Sequence, residues 1–134
     1  PGTRCTRPVG LIDLYPTLIE LCGLPPNKRL DGQGLRPLLA NPRAPWDRPV
    51  LTTMGYNNHS VRDERWRYTR YSDGSEELYD HLNDPKEWRN LATDPRYAPI
   101  KQRLARWLPK VNQPEAPPKQ AYEFDPVRYT WKRR

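Results

Sequence analysis

The sequence predicts an α+β fold in which a small antiparallel sheet packs on a C-terminal helix. The first observation is a hairpin pattern from Asn58 to Asp80, whose two extended halves meet at Asp73-Gly74, a pair that tolerates the positive φ of a tight turn. The second observation is a helical pattern from Pro99 to Leu108. Because an isolated hairpin is marginally stable in water, we expect three or more strands, with Val50 to Met54 as the first.

The hairpin has two different faces. Trp66 and Tyr68 fall on one face of a strand with a period of two, whereas Arg67 and Thr69 fall on the other. The apolar residues of the predicted helix recur at helical spacing: Ile100, Leu104, Trp107 and Leu108. We therefore expect this helix to cover the sheet face that carries Trp66 and Tyr68.

A second amphipathic helix is predicted upstream, over residues 13–22. Its apolar residues share one helical face: Leu11, Leu14, Tyr15, Leu18, Leu21 and Cys22. Asp13 can cap its start, and Gly23 ends it. A helix of about two turns needs a partner surface. The Pro-rich and Gly-rich residues 25–49 form a connector, with one helical turn near Leu38.

The composition argues against a self-sufficient core. Only 35% of the 134 residues are hydrophobic, 17 are Pro and one is Phe, so we expect the chain to lean on another surface. Its net charge of +7 favours polyanionic partners, which include nucleic acids, acidic lipids and sulfated or phosphorylated substrates. Two cysteines, Cys5 and Cys22, make neither a disulfide framework nor a metal site. No apolar run approaches the roughly 20 residues that cross a bilayer.

The candidate binding residues lie on one loop and the strand that follows it: Tyr56, Asn57, His59 and Arg62. Arg presents a planar fork that suits carboxylate or sulfate oxygens, and His and Asn can hydrogen-bond hydroxyl groups. The alternative is structural: Arg62 pairs with a nearby acid (Asp63, Glu64 or Glu76), and Asn57-Asn58 only forms a turn. No nucleophile, phosphate loop or metal-ligand cluster stands out in the sequence.

Four segments, in order, resemble type I (formylglycine-dependent) sulfatases, with the greatest likeness to bacterial iduronate-2-sulfatase-like members. They are Val9 to Pro25, the Leu30-Asp31-Gly32 connector to Leu39, His59 to Tyr68, and Glu77 to Ala92. The resemblance implies an alkaline-phosphatase-like α/β domain outside this chain and a C-terminal subdomain with a four-stranded antiparallel sheet on a helix. It covers roughly residues 8–110 and makes residues 1–24 the end of the large domain and residues 50–111 the subdomain. Composition assigns residues 25–49 to a connector and residues 112–134 to a Pro-rich basic tail.

The same resemblance implies that this chain is inert alone. The family hydrolyses sulfate esters with a formylglycine made from a Cys/Ser-x-Pro-x-Arg motif beside a calcium ion, and neither Cys5 nor Cys22 fits that motif. No catalytic or metal residue is therefore assigned to this chain, and formylglycine and calcium are expected in the large domain. What remains is the rim of a cleft for a sulfated glycan, with His59 and Arg62, aided by Tyr56 and Asn57, as contacts. The resemblance also implies a periplasmic or secreted enzyme.

Two other interpretations remain open at this level. A small basic module could bind RNA or DNA through Arg and the aromatic residues of the sheet, although acids in the hairpin oppose this. The chain could also be a sulfatase-derived fragment without independent function. Because it begins with Pro1 rather than Met, we expect it to be the tail of a longer polypeptide.

Overall fold

The computed structural model describes residues 2–114 and 122–133 of the chain. Its helices are α1 (Leu14–Leu21, preceded by a 3-10 helix at Leu11–Asp13), α2 (Arg36–Ala40) and α3 (Ala98–Ala105, preceded by a 3-10 helix at Pro95–Tyr97). Its strands are β1 (Val50–Thr53), β2 (His59–Arg62), β3 (Trp66–Arg70), β4 (Glu76–Asp80), β5 (Tyr122–Asp125) and β6 (Thr130–Arg133). Among the described residues, no helix is long and apolar enough to span a membrane.

Strands β1 to β4 form an antiparallel sheet in sequence order. The turn between β3 and β4 uses Gly74 at φ 85°, and the N–H of Tyr71 donates to the carbonyl of Ser75 at 3.0 Å. A positive φ at this position needs glycine or a similarly tolerant residue, as the Asp73-Gly74 pair indicates. The predicted α+β fold with four antiparallel strands is confirmed.

The core lies between this sheet and α3. Val61, Tyr68 and Leu78 form one row across β2, β3 and β4 and are at most 2% exposed, and Leu104 of α3 is fully buried against them. This confirms that the helix covers the Tyr68 face. Leu108, beyond the end of α3 at Ala105, is also buried in this core and Ile100 packs against it, whereas Trp107 is 45% exposed.

No residue in the described part of the chain covers the apolar face of α1. Its large side chains are between 51% and 87% exposed: Leu11, Leu14, Tyr15, Leu18 and Leu21. The connector packs instead on the opposite side, where Thr17 and Ile19 are buried. Gly32 allows this approach, because a Cβ at that position would lie 2.0 Å from the carbonyl oxygen of Ile12. The connector thus needs glycine at position 32 to pack this closely against the helix.

Asp13 has another role than the one predicted. It occupies the N-cap position of α1, but its buried carboxylate does not cap that helix. It accepts hydrogen bonds from the N–H groups of Gly10 and Gln33 at 2.8 and 2.9 Å and pairs with Arg48 at 2.5 Å. Burial alone would raise the pKa of Asp13, but these hydrogen bonds outweigh it and lower the pKa. Asp13 therefore ties the connector to the helix.

The end of the chain contains structure that the sequence pattern did not indicate. Within the predicted Pro-rich basic tail, β5 and β6 form a second, two-stranded sheet over residues 122–133. Phe124 and Trp131 face each other across it with ring centroids 4.9 Å apart, and the carboxylate of Asp125 accepts two N–H groups of the turn. Residues 115–121 and 134 of the predicted tail lie outside the described residues.

Candidate functional site

The four predicted binding residues do not form a single cluster. His59 and Arg62 are three positions apart on β2, so their side chains lie on opposite faces of the sheet. His59 points to the face covered by α3 and is 3% exposed, whereas Arg62 is exposed on the other face, the open face. Tyr56 and Asn57 lie in the β1–β2 loop, at the end of β2 away from Arg62.

The imidazole of His59 is part of a buried hydrogen-bonded chain. Its Nδ1 lies 2.9 Å from Oγ1 of Thr53, and its Nε2 lies 2.5 Å from Oδ1 of Asn112. The amide nitrogen of Asn112 donates to Oδ1 of Asn57 at 3.1 Å. Since Oδ1 of Asn112 can only accept, Nε2 of a neutral His59 carries the proton and Nδ1 accepts from the Thr53 hydroxyl. Both ring nitrogens are therefore occupied.

The residues from Met54 to Asn58, here called loop 54–58, are held in a defined conformation. Asn57 has φ 59°, an unusual value for a residue other than glycine. The side chain of Asn58 accepts the N–H of Ser72 at 3.0 Å and donates to the carbonyl of Tyr56 at 3.1 Å. The prediction of turn chemistry holds for Asn58, while Asn57 also contacts Asn112. The sequence carried no signal for Asn112, which lies 55 positions from Asn57.

The guanidinium of Arg62 has no ion pair or hydrogen bond to the residues that the structure describes. The acids that could have paired with it bind other cations: Asp63 binds Arg103 at 2.7 Å, Glu64 binds Arg7, and Glu76 binds Lys101 at 2.6 Å. The alternative in which Arg62 pairs with one of them is therefore wrong within this chain. Its guanidinium keeps its hydrogen-bonding capacity for another group.

A second arginine lies beside Arg62. Arg67 is its direct cross-strand partner in the β2–β3 register and faces the same side of the sheet. Arg67 pairs with Glu87, but its buried Nε has no partner among the described residues. The two arginines help to line a cleft of about 380 Å³ between the open face and the N-terminal segment. The other lining residues are Thr6, Pro8, Val9, Val50, Thr52, Ser60, Asp63 and Glu64.

The other face of the sheet offers no aromatic platform for nucleic-acid bases. Trp66 and Tyr68 are 7% and 2% exposed because α3 covers them. The hydroxyl of Tyr68 donates to the carboxylate of Glu76; burial and this hydrogen bond raise the pKa of Tyr68. The binding mode that the nucleic-acid interpretation needs, stacking on sheet aromatics, is absent at these two residues.

The described parts of the chain hold no group of three or more His, Cys, Asp or Glu residues arranged for a metal ion. Cys5 and Cys22 are exposed and form no disulfide. The described residues therefore supply no ligand set for calcium.

Comparisons with known proteins identify the family. Residues 1–114 match the model of the N-sulphoglucosamine sulphohydrolase C-terminal family. A sulfatase of Formosa agariphila is 37% identical over 83% of this chain and 22% of its own length. A delta 4,5-hexuronate-2-O-sulfatase of Bacteroides thetaiotaomicron is 35% identical over 66% of this chain and 20% of its own length.

Structural similarity agrees with the sequence match. A solved 2-O GAG sulfatase shares 33% identity with a TM-score of 0.60, over 68% of this chain and 22% of that one. The chain spans about a fifth of the length of the curated relatives it matches. The resemblance to the C-terminal part of sulfatases is thereby confirmed, and the chain belongs to the N-sulphoglucosamine sulphohydrolase C-terminal family.

Proposed function

We propose that this chain is the C-terminal part of a sulfatase that hydrolyses sulfate esters of glycans, where it completes the fold and the rim of the substrate cleft. The observation that carries the proposal is the family match over residues 1–114 by a chain that spans about a fifth of its relatives. Catalysis would then take place in a large α/β domain. From the family resemblance, we expect that domain to hold formylglycine and calcium. We also propose that the enzyme is periplasmic or secreted, which the family resemblance supports.

The uncovered face of α1 supports a role in completing the fold. Leu14 and Leu18 are 51% and 58% exposed on a helix whose other side is already packed. Exposed apolar surface of this kind marks an interaction site in soluble proteins. We propose that this face of α1 contacts the large domain, because the large domain precedes the C-terminal subdomain in the sulfatases that this chain resembles.

The candidate residues divide into two tasks. Arg62 suits a direct contact with a sulfate or carboxylate oxygen, because its guanidinium has no partner among the described residues. Tyr56 and Asn57 sit on loop 54–58, from which they would contact sugar hydroxyl groups. His59, with both ring nitrogens engaged, positions that loop through Asn112. A 2-O-sulfated uronate is the preferred substrate class, in keeping with the named activity of the Bacteroides relative.

The test is sulfate release by the full-length protein encoded by the source gene. Its upstream coding region should contain the Cys/Ser-x-Pro-x-Arg motif, and the purified enzyme should release sulfate from a 2-O-sulfated uronate disaccharide. Replacing the motif's Cys or Ser by Ala is the matched inactive control. An open frame without the motif, or no sulfate release from any sulfated glycan tested, would refute the proposal. Steeply salt-dependent binding of nucleic acid at micromolar affinity would then favour the alternative function.

A further inference from the structure

The open face of the sheet presents two adjacent polar rows. The register places Arg62 opposite Arg67 in one row. It places Thr52, Ser60 and Thr69 side by side in the next. Rows on one face of a strand are about 7 Å apart, and neighbouring strands are about 4.8 Å apart. The surface is therefore a grid of cations and hydroxyls of about the size of one sugar ring.

Contacts among the described residues do not fully neutralise the positive charge of the arginine row. Like charges directly opposite each other destabilise a sheet. Glu87 compensates Arg67, but no described residue compensates Arg62. The acids at the cleft, Asp63 and Glu64, are already paired elsewhere. An anion held between the two guanidinium groups would remove the repulsion and use the donors of Arg62.

The hydroxyl row supplies neutral donors next to these charges. The hydroxyl of Thr69 donates to Oγ of Ser60 at 3.0 Å, which leaves the Ser60 hydroxyl hydrogen free to point into the cleft. Thr52 lies opposite Ser60 and is exposed. Thr52, Ser60 and Arg67 also line a second cleft, which reaches Met54 and Asn58 of loop 54–58. The two clefts share these three lining residues, and together they are called the trough here.

We propose that Arg62 and Arg67, with the hydroxyls of Thr52 and Ser60, form a binding site for a sugar unit that carries a carboxylate or sulfate group. The anionic group would lie on the arginine row, and the sugar hydroxyls would lie on the hydroxyl row. Charge complementarity favours this occupant, because Arg62 and Arg67 lie side by side and the acids Asp63 and Glu64 of the first cleft are paired with Arg103 and Arg7. The remaining acid, Glu77, lines only the second cleft. The proposal rests on the proposed function and extends it to Arg67, Thr52 and Ser60.

The experiment measures binding and accessibility in the full-length protein. The probe is a 2-O-sulfated uronate disaccharide, with lactose as the neutral control. Arginine modification by phenylglyoxal, mapped by mass spectrometry, should label Arg62 in the free protein, and the disaccharide but not lactose should protect it. Arg62→Ala should weaken disaccharide binding about tenfold or more, and Arg62→Lys should restore part of it, because Lys keeps the charge but not the fork.

Further variants separate the site from general charge and from folding. Arg67→Ala should also weaken binding, and the double variant should lose less than the sum of the two single losses if both arginines hold one group. Arg29→Ala, at an exposed position of the connector, is the matched charge control and should bind normally. If Arg62 resists labelling in the free protein, or if Arg62→Ala binds the disaccharide normally, the large domain covers this face and the site is refuted.

These readouts are independent of catalysis. A protein that releases no sulfate, but in which the disaccharide protects Arg62, would refute the proposed function and support the site. A protein that hydrolyses sulfate esters while its Arg62 gains no protection from the disaccharide would do the reverse. Should Arg62→Ala fail to fold, the labelling of the unaltered protein and the Arg62→Lys variant still decide the question.

Discussion

Asp80 is a carboxylate whose contribution to stability should be lost in a defined range of pH. It ends β4 at 5% exposure and accepts two parallel hydrogen bonds from Arg65, from Nε at 2.8 Å and from Nη2 at 2.7 Å. Asn83 donates to it as well, at 2.8 Å. The bonds from Arg65, opposed by burial and aided by Asn83, lower the pKa of Asp80 from 3.8 to about 2.

The magnitude follows from this shift. A shift of one pKa unit corresponds to about 1.4 kcal/mol. The lowered pKa of Asp80 therefore means that its ionised carboxylate stabilises the folded state by about 2 kcal/mol. Because the folded-state pKa is the lower one, this stabilisation is fully present above the unfolded-state pKa of 3.8 and is lost as the pH falls through about 2. Asp80→Asn keeps the shape of the side chain but removes the charge. It should lower the free energy of unfolding by about 2 kcal/mol at neutral pH.

The assay is urea unfolding followed by tryptophan fluorescence, from pH 7 down to the lowest pH at which the protein is still folded. The difference between the original protein and Asp80→Asn should shrink as the pH falls below 4. Asp31→Asn, which removes a carboxylate at an exposed connector position, is the control and should change stability by less than about 0.5 kcal/mol. A difference that stays the same at every pH would refute the electrostatic reasoning, and no difference at pH 7 would refute the contribution of the pair.

Two further predictions concern the loop and the uncovered helix face. Asn112→Ala leaves Nε2 of His59 without an acceptor. It should therefore speed backbone hydrogen exchange across loop 54–58 and lower the free energy of unfolding by about 1–3 kcal/mol. Exchange no faster than in the control Gln113→Ala would contradict the positioning role of Asn112. Leu18→Asp should lower the stability of the full-length protein by about 2 kcal/mol or more, measured by thermal unfolding, because it places a charge in the domain contact. Leu82→Asp, at a leucine that is 71% exposed on the other part of the chain, should have little effect, and equal losses in both variants would argue against that contact.

Local patterns predicted the strands of the hairpin well because a tight turn and the alternation of side chains along a strand depend only on neighbouring residues. The Asp73-Gly74 turn sets the register of β3 and β4, and the period of two then assigns Tyr68 to the core and Arg67 to the open face. The same alternation separates His59 from Arg62, although the sequence analysis grouped them as one site. The hairpin at 122–133 was missed although aromatic and polar residues alternate on both sides of its turn, because each strand is only four residues long.

The sequence by itself determined the α+β class, the covered face of the sheet and the presence of an arginine on a strand beside a polar loop. Only the tertiary structure decided what each polar side chain contacts. It buried His59 between Thr53 and Asn112, occupied Asp63 and Glu64 with other cations, and left Arg62 facing Arg67. The physical reason is that strand periodicity assigns a side chain to a face, whereas its partner comes from segments as far as 57 positions away, which local spacing does not encode.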